Sequence, residues 1–280
     1  LCRRRLLYKN FAIFTAKTHD KSLNQFTVSK RMQHLKNARN VVKDVIEIML
    51  AMSGIILLHR LTVVHIVSVT ASLVFYQFYL VPRSSVVWAL WYFAFATTIH
   101  YVLLFGVFAR DNERSWAQML INRYGEERGF VLYESLMAFV FCHNGLSTGY
   151  VCTVVGGLEF LPVWALWTIG LSLSLVGFPV KIWATRVVGL DTYYYKDLFL
   201  RRPVSEFKVA GPYKVLKNPM YGVGHLHGYG VAVMSGSLLG LLAVAFNQIC
   251  IWTFYFLIEK PHIHDVYKQH KSEPVATEIA

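Results

Sequence analysis

Long apolar runs separated by short polar clusters set the pattern of this chain. Leu61–Val81, Val86–Ala109, Phe130–Val155 and Leu161–Val188 carry almost no charge. Each is near the length of about 20 residues that an α-helix needs to cross hydrocarbon. Two further runs, Gly222–Ser235 and Leu238–Ile258, are divided by Ser235-Gly236-Ser237 and predict a helical hairpin broken there. The pattern therefore predicts an all-α fold: a multi-pass transmembrane helical bundle of about six membrane segments, ending in a carboxyl-terminal helical hairpin. Val45–Leu58 is shorter and carries Glu47, so it predicts an interfacial or buried helix instead. Four stretches follow: an amino-terminal arm over 1–44, amino-terminal membrane helices over 45–160, a membrane core over 161–270 and a tail over 271–280.

Composition supports lipid as the solvent. The chain has 280 residues, 55% hydrophobic and only 16% charged, with a mean hydropathy of +0.41. That is too little charge to cover a water-soluble domain. The net charge of +12 is concentrated, because residues 1–44 hold eleven Lys and Arg against Asp20 and Asp44. Such an arm is expected to lie along anionic head groups. No basic and aromatic platform accompanies it, which argues against nucleic acid as a partner. Arg3, Arg4, Arg5, Lys9 and Lys17 precede the first acid, Asp20. This is the acid-poor bias of an organellar transit segment, so the mitochondrial inner membrane is favoured over the endoplasmic reticulum. Cys2, Cys142, Cys152 and Cys250 are widely separated, without CxxC or zinc spacing, and are expected to be free thiols.

The charge pattern also orders the loops. With the basic arm inside, four spans bring the connection Gly189–Lys217 to that same face, and the hairpin returns the chain there at Glu259. Connection and tail should meet at one membrane surface. Arg110–Gly129, with four Arg against four acids, is expected to be a solvated loop.

The polar residues around that surface are the candidates for chemistry. Asn218 and Pro219 fit an N-cap and a first-turn proline, predicting a helix start whose free N–H groups could hold an anion. In that helix Tyr221, His225 and Tyr229 would share a face. Gly224 and Gly228 suit either close helix packing or the approach of a flat ligand. His225 and His227 would point apart, and His262 with His264 lacks a third ligand, so no metal site is expected. Tyr193, Tyr194 and Tyr195 fit a membrane interface. Asp197, Arg201, Arg202 and Lys208 are either solvated there or face a lipid head group. Glu259 is either an interfacial anchor or projects, with His262, into a cavity capped by the 218–221 turn.

At these residues a family resemblance emerges. "NPMYGVGHLHGYGVAVM", followed by "LIEKPHIHDVY" and preceded by "YYYKDLF", resembles the carboxyl-terminal core of phosphatidylethanolamine N-methyltransferases, the fungal first-step type above all. The resemblance covers about 170–270, while residues 1–160 match only as membrane segments. It implies a multi-pass enzyme that moves a methyl group from S-adenosylmethionine to the amine of phosphatidylethanolamine. In such enzymes a Gly-x-Gly stretch and acids near the last helix end help to hold the donor. Here the stretch aligns with Leu175 and Gly177, and the paired acids with Glu259 and Lys260, so one glycine and one acid are missing.

The resemblance implies Gly177, Asn218, Pro219, Tyr221, Gly224, His225 and Glu259 for the donor, and Tyr194, Asp197 and Arg201 for the lipid. Glu259 and His262 are the candidates for proton handling, since an ammonium must lose a proton before its nitrogen can be methylated. The alternative is a catalytically degenerate relative serving as an accessory subunit of a larger, mitochondrial membrane complex.

Overall fold

The computed structural model describes residues 39–51, 53, 54, 63–108, 115–204 and 210–265. The basic arm up to residue 38 and the tail beyond 265 lie outside the described residues, and with them the expectations about targeting and head-group contact. Residues 39–46 belong to a separate amino-terminal unit and are helical; the remainder is described here.

The fold is all-α. Residues 47–51 are helical and form α1, and α2 (Val63–Phe75) continues through a π turn and a 3₁₀ turn to Arg83. Then come α3 (Val86–Val107), α4 (Trp116–Tyr124), α5 (Glu126–Val154) and α6 (Val163–Val188). Two short helices, α7 (Leu190–Tyr193) and α8 (Lys196–Leu200), begin the connection to α9 (Leu226–Met234) and α10 (Leu238–Phe254). The last helix continues through a π turn, Tyr255–Glu259, to Asp265.

Among the described residues three helices are long and apolar enough to cross a membrane: Val86–Val107, Val163–Val188 and Leu238–Asp265. Many of their large side chains, including Trp91, Phe95, Trp164, Leu175 and Phe246, point outward, as a lipid-facing surface requires. The expected count of about six spans is not reached by this measure. Residues 63–83 of the first run are helical, but only Val63–Phe75 is regular α-helix, and α5 buries Glu134 among its apolar residues.

The hairpin breaks where expected. α9 ends at Met234, Gly236 takes a left-handed φ of 66°, and the Ser237 hydroxyl accepts from Gly240 N to cap α10. The turn is tied to the α5–α6 loop by Leu158 N to Gly236 O and Leu238 N to Gly156 O, both 3.1 Å. These loops therefore share one end of the bundle.

Two expectations are corrected. Within Arg110–Gly129, Ser115 caps a helix by accepting from Gln118 N, and Gly125, at φ 78°, turns it directly into α5. The balanced charges had hidden an amphipathic repeat. The helix expected to start at Asn218 begins only at Leu226, after a turn and a 3₁₀ segment over Val223–His225. Asn218 Oδ1 still accepts from Tyr221 N, but it closes the turn and does not cap α9.

α6 and α9 pack backbone to backbone. A Cβ on Gly170 would lie 2.6 Å from Gly230 O, and one on Gly177 would lie 2.3 Å from His227 N. This is the close approach that small residues permit between membrane helices. On the other side, Phe108, Tyr133, Phe199 and Phe254 build an aromatic core joining α3, α5, α8 and α10.

Candidate functional site

The connection between α6 and α9 folds back over the bundle. Tyr195, at its centre, holds φ at 60°, a costly conformation for a bulky residue. The backbone there turns inward. Tyr194 and Tyr195 are buried, with Tyr194 donating to Ala51 O at 2.8 Å. The expected wet, interfacial tyrosines are thus core residues, because the aromatic cluster offers them more apolar contact than the surface does. Burial pushes the Tyr194 and Tyr195 hydroxyls well above their ordinary value.

Tyr195 Oη lies 2.9 Å from Tyr221 Oη, which donates to Glu259 Oε2 at 2.8 Å. Glu259 thereby enters the wall of a cavity of about 380 Å3, a size usual for small-ligand sites. α3, α5, α6, α9 and α10 and the connection all line it.

Tyr221, His225, Asp197 and Glu259 line this cavity, but Gly177, Gly224, Asn218, Pro219 and Tyr194 do not. Gly177 serves the α6–α9 contact. A Cβ on Gly224 would lie 2.7 Å from Pro219 O and 3.1 Å from Lys181 Cβ, so this glycine too serves packing. Leu175, aligned with the family's first glycine, is 64% exposed on the outer face of α6. Asp197 is buried, with Oδ1 accepting from Leu198 N, and burial raises its carboxyl above the usual carboxylate range. His262 donates from Nε2 to Asp197 O at 3.2 Å, and it lines a smaller neighbouring cavity with Arg201. The structure therefore brings Glu259 and His262 to adjacent walls, not to one cavity. His225 and His227 both line the main cavity, 6.1 Å apart between ring centres, and His227 Nδ1 donates to Gly224 O.

Sequence reasoning missed several lining residues, among them His100, Asn144, Lys181, Tyr195, Tyr213 and Asn247. Lys181 carried a signal, as one of two basic residues, with Arg186, inside the apolar run 161–188. His100 carried the same signal in the run 86–109. Tyr195 and Tyr213 carried none, since only the folded connection brings them inward. Lys181 and Glu259 line one cavity, yet no ion pair joins them among the described residues. The arrangement offers separate ammonium and carboxylate groups to a bound molecule.

An all-α membrane protein with a largely apolar cavity inside its helical bundle, carrying a few ionisable side chains, is the class that this geometry defines. Residues 166–270 match the family model of phospholipid methyltransferases. Among curated relatives named phosphatidylethanolamine N-methyltransferase, one from Lodderomyces elongisporus is 24% identical over 188 residues, 60% of this chain and 21% of the relative. The Candida tropicalis protein of that name is 30% identical over 131 residues, 44% of this chain and 15% of its own length. One from Ajellomyces capsulatus is 32% identical over 111 residues, 40% of this chain and 11% of the relative. The chain thus spans about a fifth or less of the length of these relatives. No solved structure matches it.

Proposed function

We propose that the chain transfers a methyl group from S-adenosylmethionine to the amine of phosphatidylethanolamine. The observation that carries this reading is the pair of ionisable groups, Lys181 and Glu259, that line one cavity with no ion pair between them among the described residues. Charging a half-buried group without a partner is costly, and a zwitterionic amino-acid end would answer both at once. In this reading Lys181 takes the donor's carboxylate and Glu259 its amino group, while Tyr195 and Tyr221 hold the Glu259 carboxylate in place. The bound donor supplies an electrophilic methyl carbon on a sulfonium.

The protein's part is then alignment and proton removal. Methyl transfer needs the amine nitrogen in line with the carbon–sulfur bond, and most of the gain comes from holding the two together. In this reading Asp197, which lies in the connection and lines the cavity, meets the substrate ammonium and takes its proton. Its raised pKa fits a base that must act near neutral pH. In this reading Arg201, which lines the neighbouring cavity, meets the lipid phosphate. The membrane setting lets a phospholipid keep its tails in the bilayer throughout.

The accessory-subunit alternative drew on the missing glycine. With Leu175 on the outer face of α6, that position has no bearing on what the cavity holds. The test is calorimetric binding of S-adenosylmethionine to the full chain in lipid nanodiscs, followed by assay of labelled methyl on phosphatidylethanolamine. Saturable binding with label on the lipid is expected; a folded protein that binds no donor would overturn the reading.

A further inference from the structure

The inner end of the cavity holds a chain of hydrogen bonds whose direction is fixed. The Thr148 hydroxyl, 2.8 Å from Asn144 O, gives its proton to that carbonyl, so it only accepts from Asn247 Nδ2 at 3.1 Å. Asn247 Oδ1 therefore faces Asn144, whose Nδ2 donates to it at 3.3 Å and to His100 Nδ1 at 2.9 Å. Thr97 donates to Asn144 Oδ1 at 3.0 Å, which agrees with this assignment. His100 Nδ1 is thus the lone-pair nitrogen, and the ring's proton sits on Nε2. That N–H has no partner among the described residues, although His100 is only 3% exposed. A buried donor without an acceptor costs about 1–3 kcal/mol and calls for an explanation.

A second, independent feature lies beside it. Gly145 and Gly149, one turn apart on α5, line the same cavity, and a Cβ on either would meet nothing within 4 Å. Gly170 and Gly177 are needed where backbones touch, but these two are not. Each costs about 0.5–1 kcal/mol in a helix relative to Ala. What they leave is flat, open space next to His100 and Asn144.

Depth decides what fits. Asn247 precedes Glu259 on the same helix by a rise of about 18 Å. A phospholipid keeps its polar group at the surface, and its tails have no use for an N–H donor that far below. A ligand polar along its whole length does. Building on the donor reading above, we propose that this inner lobe seats the purine of the methyl donor, with His100 Nε2–H donating to a ring nitrogen and Gly145 and Gly149 bordering the ring's face.

The test uses the full chain in nanodiscs, with S-adenosylhomocysteine and its 3-deaza and 7-deaza purine analogues as calorimetric probes. Expected are an about tenfold weaker affinity in His100→Phe, near wild-type affinity in His100→Gln, which keeps an N–H, and loss of binding in Gly149→Leu. In wild type one deaza analogue should bind about tenfold more weakly than the parent, and for that analogue the His100→Phe penalty should vanish. Gly149→Leu meets no neighbour at its Cβ, so its thermal unfolding should match wild type and keep the test valid if His100→Phe misfolds. Unchanged affinity in Gly149→Leu, or an equal His100→Phe penalty for all three probes, would overturn the purine seat and leave the donor reading standing. A wild-type protein that binds none of the probes would instead sink the donor reading, and the seat with it.

Discussion

The Tyr221 hydroxyl donates to the Glu259 carboxylate across 2.8 Å. Because Tyr221 has one proton to give, the Tyr195 hydroxyl, 2.9 Å from it, must be the donor to Tyr221. Three separate stretches, at the connection, the turn before α9 and the end of α10, thus converge on one carboxylate. Tyr221→Phe removes the donor to Glu259 and leaves Tyr195 without its acceptor. A hydrogen bond to a charged group contributes about 1.5–3 kcal/mol, so donor affinity should fall at least tenfold. Glu259→Gln, which removes the charge itself, should weaken it further. Calorimetry on both variants checks this, and two unchanged dissociation constants would remove the tyrosine chain from the site.

The glycine pair of the family motif separates cleanly here. Leu175 faces outward while Gly177 abuts the backbone of α9. Leu175→Gly, which restores the family's residue, is expected to leave donor affinity within twofold. Gly177→Leu should cost at least about 1–3 kcal/mol through forced separation of α6 and α9, seen as a lower unfolding temperature. A gain in donor binding by Leu175→Gly would show that position 175 contributes to the cavity after all.

Asp197 gives a dependence on pH. Its folded-state pKa is raised by burial, so the fold binds its proton more tightly than the unfolded chain does. That contribution to stability is fully present below the ordinary Asp value of about 4 and is lost as pH rises through the raised folded value. Asp197→Asn stays neutral throughout. Its unfolding temperature should therefore exceed wild type at pH 7, with the difference shrinking toward pH 4, while methyl transfer falls. A difference that does not vary between pH 4 and 7 would mean that Asp197 titrates as an ordinary acid.

What the sequence made legible follows from the length scale of each signal. Apolar runs and the Ser235-Gly236-Ser237 break are local, and α3, α6 and the α9–α10 hairpin lie where those runs predict. The helix α4 was hard to read because its core-facing stripe of Ala117, Leu120 and Ile121 is short and flanked by charges of both signs. Tyr221 and Glu259 could be singled out as polar residues beside apolar runs. Their pairing could not, because it depends on a connection that turns inward at Tyr195 through a left-handed backbone that no propensity favours. The same physics misplaced Gly177 and Gly224, since small residues in a membrane helix serve a neighbouring backbone and a ligand equally well on sequence grounds.

Lys181 is the residue on which the donor's orientation turns. It lies about two turns from the end of α6 and lines the cavity, with no carboxylate within ion-pair distance among the described residues. Facing a ligand carboxylate, it would recover part of the cost of burying its charge. Lys181→Met keeps the length of the side chain and removes the ammonium. The expected result is an S-adenosylmethionine affinity reduced at least tenfold, with affinity for decarboxylated S-adenosylmethionine unchanged. Glu259→Gln should weaken both ligands alike, because both keep the amino group. The comparison separates recognition of the two ends of the zwitterion within one protein and one assay. If Lys181→Met weakened both ligands equally, the ammonium would be shaping the cavity without reading the carboxylate, and the donor would have to lie the other way round.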